Sequence, residues 1–159
     1  MAHPYSQIKR KVEDAFAELI SDRQEDNLAG VVIFKGLSYV TELTAPRVEV
    51  LADVATPEII GEKVTGNYRV QVRIALVQNY KDETRASRAL KDSELFDMLY
   101  LQDIEIQLNN TDVPDFHAYG GDIGEGEGWE PGQVTTLIDG HEVKEELVGV
   151  IYCRPSSLE

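Results

Sequence analysis

Between Asp115 and Gly132 the chain reads DFHAYGGDIGEGEGWEPG, and its residue types suit three kinds of chemistry: phosphate cradling, metal coordination and partner docking. The stretch holds six glycines, five acids, one histidine and the only tryptophan. A phosphate loop needs glycines so that backbone N–H groups can approach the anion, a helix N-terminus behind them and usually a lysine. Gly120, Gly121, Gly124, Gly126 and Gly128 are present, but Asp122, Glu125, Glu127 and Glu130 repel phosphate, no cation intervenes, and Pro131-Gly132 leads into a strand. Calcium asks for carboxylate and carbonyl oxygens on a flexible loop, which Asp122, Glu125 and Glu127 can supply, although their spacing matches no EF-hand or calcium-repeat pattern. Transition metals fare worse, because His3, His117 and His141 are scattered and Cys153 is the single cysteine. The expected reading of Gly120 to Gly132 is a mobile acidic loop that orders against a neighbouring subunit, with no metal and no cofactor assigned. Trp129 either folds back onto the core or anchors a partner.

Catalysis has no foothold in the pattern. There is no G-x-S-x-G elbow, and Cys153 sits in an apolar strand context where a thiol behaves as a small hydrophobe. With 29 acids some carboxylates are always neighbours, so their proximity in sequence says nothing about acid–base work. No catalytic residue is assigned, and the protein is not expected to be an enzyme.

The charge narrows the partners. Against the 29 acids stand 15 Lys plus Arg, a formal net charge of −14. Phosphate backbones are held by Lys and Arg, so specific nucleic-acid binding is not expected, and an anionic membrane surface is disfavoured too. The one basic run, Lys9 to Lys11, is placed on the outer side of a helix. No apolar run approaches the roughly 20 residues of a spanning helix. The N-terminal stretch MAHPYSQIKRK lacks the apolar core of a secretory signal, and one cysteine allows no internal disulfide, so the cytosol is the expected compartment.

The positioning elements follow from periodicity. At 159 residues one domain is expected, burying roughly two-thirds of the unfolded surface. Ile8, Val12, Ala15, Phe16, Leu19 and Ile20 keep the 3–4 spacing of an amphipathic helix, with Lys9, Arg10, Glu13, Asp14 and Glu18 turned away. AGVVIFKG reads as a buried strand, and RVEVLADV follows Pro46 as another. YRVQVRIALVQNY places Val70, Val72, Ile74 and Leu76 on one face and Arg69, Gln71 and Arg73 on the other, which predicts a central strand. From Asp82, the expected N-cap, a Gly- and Pro-free stretch predicts one or two helices, with a break near Lys91 to Ser93. VPDFHAY suggests a short strand, and QVTTLI and EVKEELVGVIYCR flank Asp139-Gly140 as a hairpin. The order predicts an α+β fold: a mostly antiparallel sheet packed against an N-terminal amphipathic helix and one or two further helices.

In order and spacing these segments resemble the neck and tail-completion proteins of tailed bacteriophages, in particular the tail terminator group. The match runs from SQIKRKVEDAFAELI through VVIFKG, APRVEVLAD, YRVQVRIALVQNY, RASRALKDSELFDMLYLQDIEIQLN and DFHAY to EVKEELVGVIYCRP, and departs from it in GLSYVTELTAP and the acidic loop. The resemblance implies a single tail-terminator-like domain over residues 1–159 and a structural, non-enzymatic role in the virion neck or tail. It further implies homo-oligomeric rings, commonly hexamers, that cap the tail tube and join it to the head. DNA would pass through the lumen without specific binding, as the negative charge favours. Contacts are expected at Asp122, Glu125, Glu127 and Trp129, with Arg69 and Arg73 of a neighbouring copy supplying cations. Deleting Asp122 to Gly128 should then spare monomer stability and impair assembly. The alternative is a small α+β ligand-binding or enzymatic domain with a calcium-binding acidic loop, for which millimolar calcium should raise the melting temperature.

Overall fold

The structure, a computed structural model, describes residues 4–36, 45–100 and 128–153. In chain order its elements are α1 (Pro4–Asp22), β1 (Val32–Lys35), β2 (Arg47–Ile60), β3 (Lys63–Asn79), α2 (Arg85–Leu99), β4 (Trp129–Asp139) and β5 (Glu142–Cys153). The strands form one sheet in the order β1-β2-β3-β5-β4, antiparallel except for the β1/β2 pair. The fold is therefore α+β, with β3 at the centre of a mostly antiparallel sheet.

Both helices lie on one face. The α1 stripe of Ile8, Val12, Phe16 and Leu19 is buried against Val48, Val50, Val72 and Ile74, the alternate residues of β2 and β3. The opposite residues of those strands include Arg47, Glu49, Asp53, Arg69 and Arg73 beside Ala75 and Val77, and no described element packs on that outer face. Register is set by two tight hairpins. Ile60 pairs with Lys63 across Gly61-Glu62, and Asp139 pairs with Glu142 across Gly140-His141. Gly61 and Gly140 hold φ of 64° and 61°, a region that glycine enters without a Cβ penalty. The second turn thus lies one residue beyond the expected Asp139-Gly140, and the first closes a β2 that runs past the expected Val54.

Two expectations about helices change. α2 is continuous across Lys91 to Ser93, and its N-cap is Thr84, whose Oγ1 accepts from Ser87 N at 3.1 Å, two residues later than Asp82. The helix survives its polar middle because those side chains tie it to the connection that precedes it and to β3. Lys91 Nζ pairs with Glu83 at 3.0 Å, and Asp92 accepts from the fully buried Gln78 at 3.2 Å. Only the last turn, with Leu95, Phe96, Met98 and Leu99, enters the core, while Ala86, Ala89 and Leu90 stay exposed. The expected strand VPDFHAY lies outside the described residues.

Glu13 does not face away from the sheet as its helical position suggests. Its Oε2 accepts from Ala52 N at 2.9 Å, beside the register slip between Ala52 and Val54 in β2. Burial pushes the Glu13 carboxyl above its ordinary pKa, partly opposed by the Ala52 amide. Glu13→Ala, which strands that N–H, is expected to cost about 1–3 kcal/mol, whereas Glu13→Gln keeps an acceptor and retains most of the stability. Urea denaturation of the two variants separates these outcomes, and equal losses would show that the carboxylate charge, not the acceptor, matters.

Candidate functional site

Trp129 takes the first of its two roles. It is 7% exposed, its ring lies 4.8 Å from that of Phe16 at 58°, and its Nε1 donates to Leu99 O at 2.7 Å. Residues 129–132 belong to β4, and the Gly128 carbonyl accepts from Tyr152 N at 2.9 Å, so the end of the expected loop is sheet. Asp122, Glu125 and Glu127 lie outside the described residues, as does His117.

Arg69 and Arg73 share the outer face of β3, on the side of the sheet away from Trp129, so the structure does not bring the indole and the arginines together. Arg69 is exposed, opposite Thr56 and Tyr152. Arg73 is already engaged: its Nε donates to Asp53 at 2.6 Å and its Nη1 to Glu146 at 3.1 Å, and the Asp53 bond holds the guanidinium above its ordinary pKa. It belongs to a chain of ion pairs across three strands. Arg47 bonds Glu49 at 2.8 Å and Glu142 at 2.7 Å, and Lys144 sits 3.4 Å from both Glu49 and Glu146. Burial alone would raise the Glu49 carboxyl, but the Arg47 hydrogen bond and the nearby Lys144 bring it below its ordinary value. Arg47, Arg73 and Lys144 meet Glu49, Asp53, Glu142 and Glu146, and Arg69 stands on the same face. The centre of the outer face is thus neutral in a chain whose formal charge is −14.

The sheet ends in two unlike edges. β1 is short and parallel to its neighbour, and Val32 is 54% exposed. β4 runs for eleven residues, and residues 135–139 are all exposed, among them Leu137 at 52% and Ile138 at 71%. The stretch QVTTLI in β4 carries no charge. Natural edge strands are usually blunted by Lys, Pro or a bulge. Here Pro131 and the slip between Pro131 and Val134 protect only the beginning of β4. The rest is paired with β5 on one side only, and no described strand lies along its outer edge. The motif that carries this surface is readable in the sequence as an uncharged alternating run beside a turn, but its edge position is not.

Between α2 and the β4–β5 hairpin lies a cleft of about 590 Å³, lined by Arg85, Arg88, Ala89, Asp92, Ile138 and Glu145 among others. Burial, and next the negative charge of Glu145, push the Asp92 carboxyl up to about 6, against the pull of the Gln78 amide and Arg88. The folded pKa exceeds the unfolded one, so the fold disfavours ionised Asp92. That penalty is fully present above pH 6 and fades as pH falls from about 6 towards 4. Asp92→Asn, which can still accept from Gln78, should therefore raise stability by about 1 kcal/mol at pH 8 after allowance for solvent screening, and by nothing measurable at pH 4. Denaturant titrations at the two pH values check the sign.

At the far end of α2, Glu94 gathers the loop that precedes β1, its carboxylate accepting from the backbone N–H groups of Glu25, Asn27 and Leu28 at 3.2, 3.1 and 2.9 Å. Cys153 is fully buried, and burial pushes its thiol up to about 12, which leaves it inert as a nucleophile. Among the described residues no helix is long and apolar enough to cross a membrane, and no group of three or more His, Cys, Asp or Glu could hold a metal ion. The chain matches no known family model and no curated protein.

Proposed function

We propose that this protein is a structural component of the neck or tail of a tailed bacteriophage, of the tail terminator kind, working as a homo-oligomeric ring that caps the tail tube and joins it to the head. It acts by assembly and not by catalysis. The observation that carries this reading is β4: a long edge whose QVTTLI stretch is uncharged, with Leu137 and Ile138 in solvent, is an aggregation hazard in a monomer and a contact surface in an oligomer. The order and spacing of the segments support it, and so does the acid surplus, which lets DNA slide through a lumen without sticking.

Light scattering on the purified protein over rising concentration tests the reading, followed by electron microscopy of the largest species. Closed rings are expected, in which the tail tube and head–neck proteins find their seats. A chain that stays monomeric up to millimolar concentration and does not bind isolated tail tubes would overturn it. The competing reading, a small ligand-binding domain, has the cleft beside Asp92 in its favour; a small-molecule thermal-shift hit lost in Asp92→Ala would support that one instead.

A further inference from the structure

We infer that copies of this chain join head to tail through their sheet edges, β4 of one copy pairing antiparallel with β1 of the next, with Leu137 set opposite Val32 and Thr136 opposite Ile33. The inference rests on the ring reading above and names the contact that builds the ring.

The register of the sheet argues for it first. Val32 pairs with Arg47, Arg47 with Val77, Val77 with Lys144, and Lys144 with Leu137. A single row therefore crosses all five strands from Val32 at one edge to Leu137 at the other. A second copy added in the same orientation, with Val32 opposite Leu137, continues that row without slipping along the strands. Strand direction agrees, because β4 ends and β1 begins at the same end of the sheet, which makes their pairing antiparallel. A head-to-tail contact between two different surfaces repeats from copy to copy, and it builds a ring where the rotation from one copy to the next closes.

The side chains agree as well. Leu137 and Val32 both lie on the outer face. Ile138 lies on the helix side, where β1 and α1 leave a shallow hollow whose apolar part is Ala17, Val31 and Ile33 and whose rim is polar, with Asp14, Glu18 and Lys35. Charge points to a second copy as the occupant. Two chains of −14 repel each other except where charge is absent or complementary, and Val31 to Phe34 is as uncharged as QVTTLI. Beside β4 stands Arg85, exposed and without an ion pair among the described residues. Beside β1 stands the loop with exposed Glu25 and Asp26, which Glu94 holds in place. The pairing brings that acidic loop of one copy to the Arg85 end of the next.

The test uses two edge variants of the full chain, Val32→Arg and Leu137→Arg, both at exposed positions and checked for folding by circular dichroism. Each alone should fall to monomer mass, because every contact needs one intact β1 and one intact β4. Mixed in equal amounts they should give a species of twice the monomer mass and nothing larger. If Val32→Arg self-associates alone, β4 pairs with β4 and the inference is wrong. Rings that persist in both variants would overturn this contact and leave the ring reading standing, whereas a wild type that stays monomeric up to millimolar concentration and does not bind isolated tail tubes would remove both. Should either arginine variant fail to fold, the double variant Val32→Cys with Leu137→Cys decides the matter. Oxidation should then yield a ladder of covalent multimers, to which the buried Cys153 contributes nothing, and an absence of cross-links from assembled wild-type-like rings would refute the register.

Discussion

Replacing Phe16 by alanine is expected to destabilise the fold by about 4 kcal/mol. The ring is fully buried at the middle of the α1 stripe, where it meets Trp129 at 4.8 Å. The cost is at the upper end for such a change because the cavity cannot collapse easily. The Trp129 indole is tethered to Leu99 O by a 2.7 Å hydrogen bond, and Ile20, Ile74 and Leu147 around the same core are fully buried. For a chain of this size the loss lowers the melting temperature by roughly 10 °C. Phe16→Leu, which refills most of the volume, should recover more than half of it. A loss below about 1 kcal/mol for the alanine variant would show that α1 does not dock on this sheet.

The second large effect is expected at Gly149. A Cβ there would stand 2.4 and 2.8 Å from two atoms of the Trp129 six-membered ring and 2.9 Å from the Glu130 carbonyl oxygen. Neither neighbour can move cheaply, since the ring is held by Phe16 and Leu99 and the carbonyl belongs to the paired strand β4. Gly149→Ala should therefore cost about 3 kcal/mol through overpacking, although alanine is otherwise the better strand residue of the two. A double-mutant cycle with Trp129→Leu supplies the check. With the indole gone, the penalty for the alanine should shrink by at least half, and full additivity would mean that the glycine is not there for the ring.

How much of this was legible beforehand differs by the kind of signal. The α1 stripe and the alternation in β3 were legible because one residue in two or in 3.6 must face the core, and that demand shapes the sequence directly. The hairpin at Gly140 was legible to within one residue for the same reason a turn glycine is rare elsewhere. α2 was misjudged where its side chains serve the sheet instead of the helix. Lys91 and Asp92 look like a break until Glu83 and Gln78 are seen waiting for them. Glu13 was assigned to the wrong side because a single carboxylate at a helix position gives no hint of a β2 register slip. The ion pairs of the outer face were half visible: Arg73 was legible as a cation on the polar face of β3, but its bonds to Asp53 and Glu146 were not, because strands far from it in sequence bring those acids. The glycine in LVGVIY marked a close approach without saying by what, and the indole that approaches it could be placed only once β4 and β5 were paired.

The seam between β3 and β5 also bears on how the chain reaches this state. Each hairpin can zip from its own two-residue turn, but Asn79 must find Glu142 and Tyr68 must find Cys153 across α2 and the whole 101–127 segment. Closing that span loses entropy before any contact of the seam is made, so formation of the β3–β5 seam is expected to be the slow step of refolding, which stopped-flow refolding of seam variants checks. Until it happens α1 has only half its floor, Trp129 has no cover from Phe16, and β3 shows an open edge in the middle of the future sheet. Substitutions that loosen either turn should slow folding little, while those along the seam should slow it most, and the nascent chain is at its stickiest in the interval between the two hairpins.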